Sequence, residues 1–121
     1  MAEADTKILP SKVKSHYLRE AGKLIGNAYY RIGSEHYRSN RLREAYAAWS
    51  KGKEFAPEHI ELLQSLMVLN GRASEACNAA ESRASSGDTS GAVSHFELCR
   101  DITPPSSKLH QLAVERLGQM R

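Results

Sequence analysis

One pattern of residues occurs twice in this chain, first in residues 43–57 and again in residues 90–104. In each copy an alanine is followed four residues later by an aromatic residue and twelve residues later by a proline. Residues four apart lie on the same face of a helix, and a proline does not fit the interior of one. The pattern therefore predicts helices that pair through small and aromatic side chains. The positions are Ala45, Trp49 and Pro57 in the first copy and Ala92, Phe96 and Pro104 in the second.

Apolar residues recur at helical spacing along the rest of the chain, and no segment alternates polar and apolar residues as a strand does. The sequence predicts an all-α fold, with a flexible N-terminus over residues 1–10 and a single helical domain over residues 11–121. The predicted helices run from Ser11 to about Asn40, Leu42 to Phe55, Glu58 to Leu69, Thr89 to Ile102 and 107–120. Asn70 and Gly71 normally end a helix. Residues 57–86 are therefore compatible with one long helix or with two.

Composition bounds the class of protein. The 121 residues are enough for one small domain, and 40% of them are hydrophobic. No apolar run is long enough for a membrane helix, and residues 1–12 do not resemble a secretory signal. We expect a cytoplasmic protein that does not insert into a membrane. In that compartment Cys77 and Cys99 are expected as reduced thiols, although a disulfide would form if the two helices face each other there.

Charge is distributed unevenly. Residues 1–53 hold eleven basic and five acidic side chains, whereas residues 54–121 hold six basic and nine acidic ones. A basic half can steer an acidic partner, or the acidic half of another copy. Nucleic acid is a disfavoured partner, because the basic residues are interspersed with acidic ones and no recognition motif is visible.

Motifs of catalysis are absent from the sequence. The five histidines form neither HxxxH nor HExxH, and no phosphate-binding glycine loop or nucleophile elbow occurs. We expect no enzymatic activity, no cofactor and no metal.

The duplicated pattern resembles the tetratricopeptide repeat, a unit of about 34 residues in which two antiparallel helices pack and the next unit stacks on them. The first unit resembles this family over residues 26–59 and the second over residues 73–106, and residues 107–120 would form a capping helix. Ala45 and Ala92 are 47 residues apart. The resemblance therefore implies about thirteen inserted residues, most simply from Ile60 to Arg72.

The first helix of each unit lines a binding groove in this family, which implies a set of partner-binding residues here. A terminal-carboxylate clamp is disfavoured, because Tyr30 and Ser34 occupy two of its positions. Arg38, with Arg41 and Arg43, would suit an acidic peptide. The groove residues implied by the resemblance are Asn27, Tyr30, Ser34, Tyr37, Arg38, Ser74, Cys77, Asn78, Glu81, Lys108 and Gln111.

The resemblance implies a non-catalytic adaptor or scaffold that binds a partner protein or peptide. Such a unit is similar to the tails of larger bacterial regulatory, secretion or pilus-associated proteins. Two alternatives remain open at this point. One is a self-assembly module that associates through the apolar segment Ile60 to Leu69, and the other is weak nucleic-acid binding through the basic half.

Overall fold

The computed structural model describes residues 11–121, with side chains from residue 16 onward, so the expected flexible segment 1–10 lies outside the described residues. This part of the chain is all-helical and contains no strand, which confirms the prediction of an all-α fold. Its five helices are α1 (Ser11–Arg38), α2 (Leu42–Phe55), α3 (Ile60–Ser85), α4 (Thr89–Asp101) and α5 (Lys108–Met120).

Local side-chain chemistry sets most helix ends. Asn40 follows α1 with a φ of 59°, a left-handed conformation that asparagine tolerates. Three side chains cap the starts of α3, α4 and α5 by accepting a backbone N–H: His59 from Leu62, Asp88 from Gly91 and Ser107 from His110.

α3 is a single helix of 26 residues, and this settles the alternative that the sequence left open. It passes through Asn70 and Gly71 without ending. Gly71 is exposed, and a Cβ added there would meet nothing within 4 Å. Leu69 and Ala73, on either side, are both completely buried. Burial of these neighbours outweighs the roughly 1 kcal/mol that a glycine costs inside a helix.

The helices pack as two hairpins followed by a last helix. α1 pairs with α2, α3 pairs with α4, and α5 packs on α4, while α2 also contacts α3. The first half of α3 lies beside α1 and α2, and its second half lies beside α4 and α5. Trp49 and Phe96, the two aromatic residues of the repeated pattern, both belong to the core.

One prediction about the hairpin of α3 and α4 is corrected. Cys77 and Cys99 are joined by a disulfide, with their Cα atoms 5.6 Å apart, and are not reduced thiols. The sequence offered no measure of how the two helices face each other. In the structure they cross with both cysteines on the shared face, where Cys77 is 2% exposed and Cys99 is completely buried.

Candidate functional site

A groove of about 250 Å³ lies between α1 and α3, and we call it the α1–α3 groove. It contains four of the residues that the sequence predicted for partner binding, and none of its lining residues is acidic. The lining residues are Tyr30, Ser34, Tyr37 and Arg38 of α1, Trp49 of α2, and Ser65 and Val68 of α3.

The floor of the groove is held by hydrogen bonds to one backbone oxygen. The indole Nε1 of Trp49 donates to the carbonyl oxygen of Tyr30 at 3.1 Å, and the hydroxyl of Ser34 donates to the same oxygen at 2.7 Å. The ring of Tyr37 packs on Trp49 with 5.7 Å between centroids. These contacts fix the aromatic surface before any ligand arrives.

Two guanidinium groups give this surface a positive charge. Arg38 lines the groove, is exposed, and forms no ion pair within residues 16–121. Arg72 donates to the hydroxyl of Tyr37 at 3.2 Å, and its guanidinium carbon is 5.8 Å from the centre of that ring. Glu75 lies 3.5 Å from Arg72, on the exposed side of α3. The ion pair with Glu75 offsets part of the positive charge of Arg72. The charge of Arg38 is not offset in this way.

A histidine contact ties the start of α3 to α1. Nδ1 of His59 accepts the backbone N–H of Leu62, so the ring proton is assigned to Nε2, which donates to Oδ1 of Asn27 at 2.6 Å. The ring of Tyr30 lies 6.0 Å from that of His59. Asn27, predicted to bind a partner, is therefore engaged in holding the two helices together.

The remaining predicted residues lie elsewhere on the molecule, and none of them lines the α1–α3 groove. The prediction for Cys77 is wrong, because this residue is buried in the disulfide and cannot contact a partner. Glu81 forms an ion pair with Arg116 of α5. The others are Ser74, which is half-buried, and Asn78, Lys108 and Gln111, which are exposed on α3 and α5.

Three residues of α3 escaped the sequence prediction: Ser65 and Val68, which line the groove, and Arg72, which contacts Tyr37. They belong to the thirteen residues that the resemblance treated as an insertion. In the structure this segment extends α3 in line, and its added turns supply the second wall of the groove. Their spacing in the sequence could have identified them. They are three and four residues apart, which places them on one face of α3, beside the buried Leu62 and Leu69.

Of the three arginines predicted to act together, Arg38 alone faces the groove. Arg41 donates to Nδ1 of His36 at 3.0 Å, and Arg43 pairs with Asp101 of α4 at 2.7 Å. Burial raises the pKa of the Asp101 carboxyl, while hydrogen bonds from Arg100 and Arg43 lower it. The hydrogen bonds together have the larger effect, so the pKa of Asp101 lies below its ordinary value. Arg43 therefore joins α2 to α4 and is not available to a ligand.

A second, larger cavity of about 580 Å³ lies between α2, α3 and the segment after α4. Its walls are mostly apolar, and Lys53 is its one charged lining residue. Tyr46, Leu66, Met67 and Ile102 form much of its surface. Its polar lining residues are Tyr46, Ser50, Lys53 and Asn70, and it contains no guanidinium group that could bind a carboxylate through two parallel bonds.

Comparison of the chain with protein-family models, curated proteins and solved structures gives no match. The tetratricopeptide resemblance therefore rests on the residues that carry it. Within the described residues, no three histidine, cysteine or acidic side chains are grouped as metal ligands would be. No helix over residues 11–121 has the length and apolar character needed to cross a bilayer.

Proposed function

We propose that this chain is a non-catalytic protein–protein interaction module that binds an acidic peptide segment of a partner in the α1–α3 groove. The observation that carries the proposal is the position of Arg38. Its guanidinium has no acidic partner in the described structure, and it lies beside a fixed aromatic surface of Tyr30, Tyr37 and Trp49.

The chemistry of the groove favours a carboxylate-bearing segment. A guanidinium binds a carboxylate through two parallel N–H···O bonds, and such charge-assisted bonds are stronger than neutral ones. No lining residue is acidic, so an incoming carboxylate does not compete with one of the protein's own. Tyrosine side chains beside the arginine add contact area with a polar tip, which is typical of residues that dominate binding energy.

The arrangement of the floor reduces the cost of binding. Trp49 and Ser34 already hold the backbone of α1 at Tyr30, and Tyr37 is held between Trp49 and Arg72. Side chains that are ordered before binding lose less conformational freedom when a ligand arrives. A peptide with one or two acidic residues next to an apolar residue would fit this surface best.

We further propose that the two hairpins form a tetratricopeptide-like stack that α5 caps. Support comes from the repeated alanine, aromatic and proline spacing, and from the order in which the helices pack. In such a stack the first helices of neighbouring units lie side by side. In this proposal the groove between α1 and α3 would be such a surface, in an adaptor that serves as one part of a larger bacterial protein.

The disulfide bears on the compartment in which this module functions. A cytoplasmic adaptor would keep Cys77 and Cys99 as thiols, whereas a lasting disulfide requires an oxidising compartment. Counting free thiols in protein trapped with an alkylating reagent at cell lysis decides between the two. The disulfide that joins Cys77 to Cys99 predicts no free thiols and a module that functions in an oxidising compartment, whereas two free thiols would contradict the disulfide and support the cytoplasmic adaptor.

The function is tested by selecting peptides from a random displayed library on the immobilised protein, at low and at physiological salt. We expect enriched peptides to carry Asp or Glu in a recurring position. Trp49 is the single tryptophan and lies at the floor of the groove, so titration of a selected peptide should change its fluorescence emission.

A parallel selection on the Arg38→Glu variant provides the comparison, with Lys51→Glu as a matched control. Lys51 is exposed on α2, does not line the groove and undergoes the same change in charge. The acidic motif should be lost with Arg38→Glu and retained with Lys51→Glu. Selection of the same motif by all three proteins, or of no motif by the native one, would contradict the proposed function.

A further inference from the structure

Apolar side chains form an exposed line along α1 that the fold itself does not use, and we call it the α1 stripe. Its members follow one another at alternating spacings of three and four residues, which is the heptad spacing of a helix that packs on another helix. Large and small residues alternate along it. The stripe consists of Leu18, Ala21, Ile25, Ala28 and Ile32.

Exposure of the large members is substantial for apolar side chains. Leu18 is 65% exposed, Ile32 is 45% exposed and Ile25 is 37% exposed. Tyr17 and Leu24, on the neighbouring line of the same helix, are 66% and 70% exposed. A contiguous apolar surface of this kind, on a helix whose other faces are polar or buried, marks an interaction site.

The contact of α1 with its own hairpin partner uses a different face. That face includes Gly22, Gly26 and Gly33, where a Cβ would overlap Phe55, Ala56 and Trp49 respectively. Opposite the stripe, the part of α1 that precedes the groove residues is polar and carries the ion pair of Glu20 and Lys23. α1 therefore presents two apolar faces, and within the described structure only one of them is covered.

We propose that a second copy of this chain covers the α1 stripe, and that the two α1 helices pack antiparallel about a two-fold axis. Such an interface must be self-complementary, because the same surface is used twice. The alternation of large and small residues from Leu18 to Ala28 meets this requirement. In the antiparallel register that brings Ile25 opposite Ala21 of the second copy, Leu18 comes opposite Ala28.

The residues that border the stripe are also self-complementary in this register. Arg31 follows Tyr17 and Leu24 at intervals of seven residues and borders the same edge of the stripe. Antiparallel pairing brings Arg31 of one copy near Tyr17 of the other, where a guanidinium can pack on the aromatic ring.

This inference is independent of the proposed function, because the α1–α3 groove uses Tyr30, Ser34, Tyr37 and Arg38, on another face of α1. A dimer paired in this way leaves both grooves open and would present two binding sites, which raises the avidity for a partner that carries two acidic segments. Failure of peptide binding would leave the dimer intact, and the reverse also holds.

The test is sedimentation velocity of the full chain from low micromolar to several hundred micromolar concentration. The native protein should pass from monomer to dimer over this range. Leu18→Glu should raise the dissociation constant at least tenfold, since it puts a charge into the apolar contact. Met67→Glu is the matched control: Met67 is 73% exposed on α3, within the apolar segment Ile60 to Leu69.

Ala21→Leu distinguishes the proposed pairing from unspecific hydrophobic association. The added side chain would meet Ile25 of the second copy, so the dimer should weaken, whereas unspecific association would strengthen with the larger apolar surface. Circular dichroism of each variant at low concentration checks that the fold is retained. A native protein that stays monomeric, a dimer that only Met67→Glu dissociates, or a stronger dimer with Ala21→Leu would each overturn the proposal.

Discussion

Gly33 leaves a space on the surface of α1, and the indole ring of Trp49 occupies it. The indole of Trp49 lies against the α carbon of Gly33, and a Cβ at this position would overlap the ring atoms Cδ1 and Nε1. The same indole forms the floor of the α1–α3 groove and donates to the carbonyl oxygen of Tyr30. This one contact therefore sets both the spacing of α1 and α2 and the shape of the candidate site.

Gly33→Ala should destabilise the protein by about 1–3 kcal/mol, because the methyl group forces a rigid, buried ring to move. Gly71→Ala is the matched control, since Gly71 is also inside a helix but has open space around it. This second change should stabilise the protein by about 1 kcal/mol through helix propensity alone. Urea denaturation gives both values, and equal effects of the two changes would mean that Trp49 does not pack on α1.

Trp49→Ala should cost about 3–5 kcal/mol of unfolding free energy, because removal of a buried aromatic leaves a cavity. Trp49→Phe retains much of the volume and loses the hydrogen bond to Tyr30, which contributes about 1 kcal/mol. The phenylalanine variant should therefore be clearly the more stable of the two in thermal or chemical denaturation. A loss below about 1 kcal/mol for the alanine variant would show that residue 49 is exposed.

Reduction of the disulfide should lower the stability of the hairpin of α3 and α4. Cys77 and Cys99 are separated by 22 residues. Closing a loop of this length stabilises a fold by about 3 kcal/mol in the chain-entropy model. Denaturation with and without a reducing agent measures the difference, and hydrogen exchange should show that it concentrates in α3 and α4. Identical curves, with the thiols verified as reduced, would mean that the bond contributes nothing to folding.

Asp101 should make stability depend on pH in the acid range. Burial raises the pKa of its carboxyl, but the hydrogen bonds from Arg100 and Arg43 together lower it by more, so the pKa in the folded state lies below its ordinary value. The ionised carboxylate therefore stabilises the fold above the unfolded pKa, and this contribution is lost as pH falls through the lower, folded pKa. Asp101→Asn should cost about 1 kcal/mol near neutral pH, and the difference from the native protein should vanish in strong acid.

Glu115→Gln is the control for this titration, because Glu115 is exposed and forms no ion pair in the described part of the chain. Its stability profile should follow that of the native protein. A constant difference between Asp101→Asn and the native protein at all pH values would remove the ion pair as the cause.

The helices were predictable from the sequence because their signals are local. Asn40, Pro57 and Ser107 mark helix ends through turn chemistry and capping, and α2 has the bounds that the sequence predicted. Trp49 and Phe96 are buried, as their spacing from small residues implied. One half of the candidate groove, from Tyr30 to Arg38, was implied by the tetratricopeptide resemblance.

The other half was not predictable, because it depends on how one helix continues. The sequence around Asn70 and Gly71 favours a helix end by local preference, whereas burial of Leu69 and Ala73 favours continuation. Once α3 runs straight through, Ser65, Val68 and Arg72 face α1 in place of the later residues Ser74 to Glu81. The same tertiary arrangement decides whether Cys77 is exposed or joined to Cys99.

The central claim is that the α1–α3 groove binds acidic segments through Arg38, and isothermal titration with a selected acidic peptide tests it most directly. Arg38→Glu should weaken binding at least tenfold and reverse the effect of salt on affinity, while Lys51→Glu should leave the affinity within about twofold, because a distant exposed charge is screened. Arg38→Lys should fall between them, since lysine keeps the charge and loses the paired hydrogen bonds. Equal weakening by Arg38→Glu and Lys51→Glu, or unchanged affinity with Arg38→Glu, would contradict the claim.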